Sequence, residues 1–451
     1  MSEHQQHGGG MFTTEGVGAL KLPDGCKCQK SISQNFGFYD PPIIEAAQKE
    51  SFEERFLPIN GLDSDPYEFN IETVGDTFLH MDSMYLYLQA KIVKGDGGNI
   101  AAGANVALAN CAISTIWKTV ELKLNNVTVN PASSYNIAHK SYIENLLTYD
   151  GDDYNVLRAG GWQMDTAGKH DVMGAANKGF TDRKALAKES KLFDLCGRIP
   201  CDFLYSDNHL APGNRLTLRF TKNADSFIIN SDDAAKEYKL KITQMAVYGR
   251  RIRLTPEALS KIWKPNQTQR YLTSYTEMKE YPLAAGVSSF TTKLYAGGKL
   301  PKSIIIAQVE TAALVGSYTR NPLTFNHQNI QKINLKLNGT RIPQDVLEMD
   351  FNKGLIQRAF QHIFMNTGKY NTNSSNSITS HHFKDGCTIF PFDLTPDQCN
   401  RYHTHGGYDG TLELEITWSA ALPQGVTIMT LASSDQIVYL SPKSSPQVVV
   451  F

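Results

Sequence analysis

The sequence predicts an all-β protein built from two consecutive eight-stranded jelly-roll barrels, with short helices inserted between strands. Three observations predict it. Apolar and polar residues alternate with period two along most of the chain, as in strands with one face on a core. The string Leu-Lys-Leu-Asn occurs at Leu122–Asn125 and again at Leu335–Asn338, an offset of 213 residues. Further elements recur in the same order around it. A chain of 451 residues is longer than a single core usually grows. Each copy has the size of a two-sheet jelly roll.

The elements follow in chain order. Residues 1–45 open with "MSEHQQHGGG", which contains no Lys or Arg, and lack sustained alternation. They read as a flexible segment peripheral to both barrels. The first barrel is assigned to 46–255. Within it Val120, Leu122 and Leu124 alternate with Glu121, Lys123 and Asn125. In "SYIENLLTY" (141–149), Ser141 and Glu144 fit a capping box, and Ile143, Leu146 and Leu147 then share one helical face. The stretch 150–191 carries only scattered large apolar residues, such as Trp162 and Phe180. It is expected to lie outside the barrel core, available for contact with another subunit or with the outside. Leu216, Leu218 and Phe220 then alternate with Thr217, Arg219 and Thr221, and the β run "YKLKITQMAVYGRRIRL" (238–254) closes the unit.

The second barrel is assigned to 256–440 and repeats this order. The same offset carries Leu146 onto Ala359, inside a second helical pattern, "NKGLIQRAFQHIF" (352–364). Asn352 is its expected cap, and Leu355, Ala359, Phe360 and Ile363 form its stripe. "GRIPCDF" (197–203) matches "TIFPFDL" (388–394), and "RLTLRFT" (215–221) matches "TLELEIT" (411–417). The run "GVTIMTLASSDQIVYL" (425–440) closes the second copy. The offset shrinks because the first copy has the longer middle loop. A tail, 441–451, ends on Val448, Val449, Val450 and Phe451. Such an ending is costly to leave in water and has strong β propensity. Two sites can satisfy it, its own barrel or the sheet edge of a neighbouring chain, and Pro442 and Pro446, as a spacer after the last strand, favour the neighbour.

Charge and motifs narrow the function. With 44 Lys+Arg against 45 Asp+Glu, there is no basic excess for holding nucleic acid. There is no basic, apolar-cored leader and no apolar run long enough to span a bilayer. The seven cysteines, an odd number, read as reduced thiols. Cys26 and Cys28 have no second pair at zinc-finger spacing. His381, His382, His403 and His405 lack a carboxylate ligand pattern, and Asp150, Asp152 and Asp153 miss the EF-hand order. "TAGKHD" lacks the preceding glycine of a phosphate loop, and no Gly-x-Ser-x-Gly elbow occurs. No catalytic residue, metal ligand or cofactor site is assigned, and the protein is not read as an enzyme.

The stretch "LPKSIIIAQVETAALVGSYTRNPLTFNHQNIQKINLKLNGTRIP" (300–343) resembles the second half of double-jelly-roll major capsid proteins, the hexons of adintoviruses and Polinton (Maverick) elements above all. Pro301 with Ile304–Ile306, Asn321-Pro322 with Phe325, and Leu335 to Pro343 carry the resemblance. "LPINGLDSDPYEFNI" (57–71) and "LAPGNRLTLRF" (210–220) are similar to the first half of the same proteins. The resemblance runs from about residue 50 to 445. It implies a homotrimer forming a pseudo-hexagonal capsomer, neighbouring capsomers tiling an icosahedral shell, penton or minor capsid partners, and a place in the virion. The competing reading is a carbohydrate-binding or glycan-processing jelly roll. Against it, Trp117 and Trp418 sit within strand patterns and read as core.

Overall fold

A computed structural model describes residues 46–130, 136–150, 154–396, 407, 409–441 and 445–450. The expectations placed on 1–45, Cys26, Cys28, Asp152, Asp153, Pro442, His403, His405 and Phe451 fall outside these residues.

The first half of the chain contributes β1 (Gln48–Phe56), β2 (Tyr67–Glu72), β3 (Thr77–Lys94), β4 (Val106–Leu108), β5 (Trp117–Leu124), β6 (Val127–Asn130), β7 (Phe193–Arg198), β8 (Arg215–Lys222), β9 (Ile229–Ser231) and β10 (Tyr238–Leu254). The second contributes β11 (Gln269–Leu283), β12 (Ser289–Lys299), β13 (Ser303–Glu310), β14 (Ile330–Leu337), β15 (Thr340–Glu348), β16 (Ile389–Asp393), β17 (Asp409–Trp418) and β18 (Val426–Leu440), followed by β19 (Gln447–Val450). Strands β4 and β9 form a ribbon of their own. The other strands of the first half form two antiparallel sheets, β1-β10-β3-β7 and β2-β8-β5-β6. The second half forms β11-β18-β13-β16 and β12-β17-β14-β15. Counted from one to eight within each half, both read 1-8-3-6 and 2-7-4-5. One jelly roll is built twice.

The repeated string has a physical reason. In β5 and β8 the facing pairs are Val120 with Phe220, Leu122 with Leu218 and Leu124 with Leu216. In β14 and β17 they are Ile333 with Ile416, Leu335 with Leu414 and Leu337 with Leu412. Apolar cross-strand pairs of this kind stabilise a sheet and fix its register. The asparagine after each leucine then starts a two-residue hairpin turn with both φ angles positive. They are 47° and 68° at Asn125 and Asn126, and 49° and 84° at Asn338 and Gly339. Asn and Gly tolerate that region best, and it matches the twist of the strands. Each asparagine also grips a neighbouring strand. Asn125 N donates to Arg215 O and its Oδ1 accepts from Arg215 N, both at 2.8 Å. Asn338 makes the same two bonds to Thr411, at 2.9 and 2.8 Å.

The helices differ from expectation at their starts. The first runs Ile137–Thr148 and is capped by Asn136, whose side chain accepts from Ala138 N. Ser141 therefore lies inside it, and Glu144 pairs with Lys140 rather than closing a capping box. The second runs Gln357–Asn366 with no side-chain cap, and Asn352 sits in the preceding turn. Ala359 and Ile363 are buried as expected, whereas Leu355 is exposed.

Trp117 and Trp418 are buried. Most buried apolar residues of both rolls form one continuous cluster, from Phe56 through to Leu440. Tyr142 against Phe325, Phe203 against Tyr271 and Tyr238 against Tyr318 carry it across the seam, with ring centroids 5.8 to 5.9 Å apart.

Candidate functional site

The seam between the rolls holds a group of buried polar and ionisable side chains. Much of it comes from the 150–191 segment, which corrects the reading of that stretch as a loop outside the core. The segment is folded, with helices at Tyr154–Arg158 and Lys178–Ala187. Trp162 and Phe180 are 1% and 0% exposed. Asn177 caps the second helix through Phe180 N and also binds Thr166 N and Lys169 O, so one buried amide pins the local path. Val156 and Leu186 are among its residues that remain exposed.

A buried arginine anchors the segment. Arg183 donates from Nε to Leu108 O at 2.9 Å, from Nη1 to Gln163 O at 2.7 Å and from Nη2 to Asp165 Oδ1 at 2.8 Å. A buried guanidinium is tolerable only when paired and hydrogen-bonded in this way. Asp165 also accepts from Asn321 Nδ2 of the second roll, at 3.3 Å. Asn321 N donates to Asp171 Oδ1 at 2.8 Å, and Gly168 N to Asp385 O at 2.8 Å. The segment thus ties the first roll to the second. Burial raises Asp171 above the usual carboxylate range.

Histidines line the same seam without forming a metal cage. His170 Nε2 lies 3.7 Å from Cys387 Sγ, and His382 Nε2 lies 3.3 Å from Asp165 O. His139 Nε2 meets Pro322 O at 3.0 Å. Burial pushes His170 and His382 below the usual histidine value and His139 down to about 4. It pushes the Cys387 thiol up to about 12, which makes it a poor nucleophile. Gly386 holds φ at 119°, and a Cβ there would stand 2.2 Å from the His170 ring. Among the described residues, no three His, Cys, Asp or Glu side chains are grouped to hold a metal.

On the other flank of the seam a cleft of about 580 Å³ opens between the helix Ile137–Thr148, β7 and β11. Glu144 and Asp202 line it, and behind them Lys140, 2% exposed, contacts Asp202 and lies 3.3 Å from Glu144 Oε1. Asp202 Oδ2 accepts from Thr276 Oγ1 at 2.9 Å, and Thr273 Oγ1 donates to Asp202 O at 2.9 Å. Burial raises Glu144 above the ordinary carboxylate value, against the pull of Lys140. No sequence pattern flagged this group, since Lys140 and Asp202 lie 62 residues apart.

The tail also departs from its expected path. The chain turns back, and β19 pairs antiparallel with β18 of the same chain, Val448 facing Val438 and Val449 facing Ile437. The strand that follows Pro446 therefore joins its own sheet. On β18 this strand continues the edge occupied earlier by β13. Val449 and Val450 remain 41% and 38% exposed. Another edge, β1, is exposed along most of its length but carries Glu50 and Glu54 paired to Arg253 and Arg251 of β10. Charges on an edge discourage indiscriminate strand pairing. Among the described residues no helix is long and apolar enough to cross a membrane.

No family model matches the chain. The Caenorhabditis elegans protein F54H12.2, itself described as uncharacterized, is 23% identical over 356 residues, covering 73% of this chain and 80% of that protein. The structure of the Sputnik virophage superposes with a TM-score of 0.60 at 13% identity, over 96% of this chain and 93% of that one. The Faustovirus major capsid protein gives 0.59 at 9% identity, over 90% and 92%. The mavirus major capsid protein gives 0.51 at 10%, over 97% of both chains. At such identities the likeness is one of fold, and it spans both jelly rolls.

Proposed function

We propose that this chain is the major capsid protein of a virus or virus-like transposon. Three copies close into a pseudo-hexagonal capsomer, and capsomers tile an icosahedral shell. The observation that carries the reading is one strand order built twice in a single chain, in a fold shared nearly end to end with viral major capsid proteins. A closed three-fold ring needs one face of each chain to meet a different face of the next. Two similar but unequal rolls per chain then supply the corners of a near-hexagon. The sequence likeness to adintovirus and Polinton hexons supports placing the chain in that group. The barrels at 46–255 and 256–440 are the building units, and 1–45 lies on the inner side of the shell, against neighbours or a minor capsid protein. The exposed valines of β19 are an intersubunit contact. The protein's place is the virion, and its role is structural rather than catalytic.

Size-exclusion chromatography with light scattering tests this. The expected species has three times the 50.1 kDa chain mass, and electron micrographs should show hexagonal blocks or closed particles. A stable monomer with affinity for sugars would overturn the reading in favour of a carbohydrate-binding protein.

A further inference from the structure

Lys140, Glu144 and Asp202 form a group whose chemistry goes beyond an ion pair. The ε-amine of Lys140 touches the carboxyl of Asp202, and Glu144, one helical turn along, reaches the same nitrogen. Lys140 and Asp202 are 2% and 7% exposed. Burial of a charged pair is expensive, and transfer of one proton from ammonium to carboxylate leaves a neutral amine beside a neutral acid. Those are the reactants of an amide. The neighbours are suitably placed. Thr276 Oγ1 donates to Asp202 Oδ2, the oxygen that would carry developing negative charge on attack at Cγ. Burial favours the protonated form of Glu144, as needed for a group that both takes and returns a proton. Fixed contact between the amine and the Asp202 carboxyl group holds the two reactants together, which two free groups lack.

We propose that Lys140 and Asp202 join in an intramolecular amide bond, with Glu144 carrying the proton. The neutral Nζ of Lys140 attacks Cγ of protonated Asp202, forming the Nζ–Cγ bond. Protonated Glu144 gives its proton to the departing Oδ1 and takes one from Nζ in its place, so it ends as it began. The Cγ–Oδ1 bond breaks and one water leaves. No electrons change hands, and no cofactor takes part. The bond staples the helix Ile137–Thr148 to the turn after β7 and closes a loop containing the whole 150–191 segment. Because Thr273 and Thr276 belong to β11, the reacting geometry is complete only once the second roll has docked. The matched aspartate of the second roll, Asp393, follows Pro391 as Asp202 follows Pro200. Its carboxylate instead accepts from Thr395 N and Oγ1, so no equivalent bond is expected there.

Intact mass spectrometry of the purified, denatured full chain decides the matter. The expected mass is that of the sequence less one water. Protease digestion should release a branched peptide joining Lys140 to Asp202 and none at Asp393. Glu144→Gln should return the full sequence mass while circular dichroism and solubility stay unchanged, and Lys140→Arg should do the same. Wild-type protein at its full sequence mass after prolonged incubation, with no branched peptide, would overturn the proposal and leave Lys140 and Asp202 as an ion pair. A water-deficient mass that persists in Glu144→Gln would overturn the role given to Glu144.

Discussion

Replacing Arg183 by leucine tests whether the 150–191 segment is a structural part of the seam. The substitution keeps an apolar stem but strips three hydrogen bonds, to Leu108 O, Gln163 O and Asp165 Oδ1. Asp165, 1% exposed, would lose its arginine and keep the long hydrogen bond from the uncharged Asn321 amide. Removing one partner of a buried ion pair costs about 3–5 kcal/mol, mostly through the charge left behind. The two carbonyls lose a charged donor, which places the expected cost toward the upper end. Asp165→Leu should cost a similar amount. The double variant should cost less than the sum of the two, by about 0.5–3 kcal/mol, because neither residue then leaves an orphan charge. Urea unfolding followed by tryptophan fluorescence reads all three, and Trp162 in the seam is the natural reporter. If Arg183→Leu costs less than about 1 kcal/mol, the pair behaves like an exposed one and the closed seam is refuted.

Acid should loosen the same seam. His139 falls to about 4 when folded, against roughly 6.5 unfolded, so the unfolded chain binds more protons between those values. Stability is full above about pH 6.5 and declines as pH falls toward 4, by on the order of 3 kcal/mol from this residue. Urea midpoints between pH 7.5 and 4.5 should show that slope, flattened in His139→Gln, and an unchanged slope in the variant would contradict the assignment. Gly386→Ala should destabilise by roughly 1–3 kcal/mol, from strain at positive φ and a clash with His170, and an unaltered thermal midpoint would show that the contact relaxes freely. Deleting 447–451 should leave the isolated chain folded, with a small loss of stability, and weaken association between subunits in light scattering. Full assembly by the truncated chain would remove the tail from the interface. Limited proteolysis should spare 160–190, and early cuts there would contradict its burial.

Much of the fold was legible because it rests on signals of short range. Period-two alternation marked β5, β8, β14 and β17, and the Leu-Lys-Leu-Asn string encodes a strand and its turn together. Helix starts were misjudged because the stronger local pattern, Ser141 with Glu144, lay one turn inside the element that Asn136 caps. The helix Lys178–Ala187 escaped because Arg183, a charged residue, occupies its inner face. Binary patterning scores an arginine as solvent-facing, and only a distant Asp165 reverses that. The Lys140, Glu144 and Asp202 group was hidden for the same reason. Pairing partners that meet only in the folded chain leave no periodic trace. The tail was misplaced because prolines mark where a strand stops, not which way the chain then turns.

The continuous apolar cluster across both rolls has a mechanical consequence. Two domains joined through a small polar interface are expected to rock against each other. Here aromatic contacts and the Arg183-anchored segment fill the junction, so flexing it would open apolar surface to water. The chain should move as one stiff plate. If such plates build the proposed shell, curvature must come from the angles at which separate chains meet. Mutations that alter particle diameter should therefore map to outward-facing edges and leave the stability of the single chain untouched.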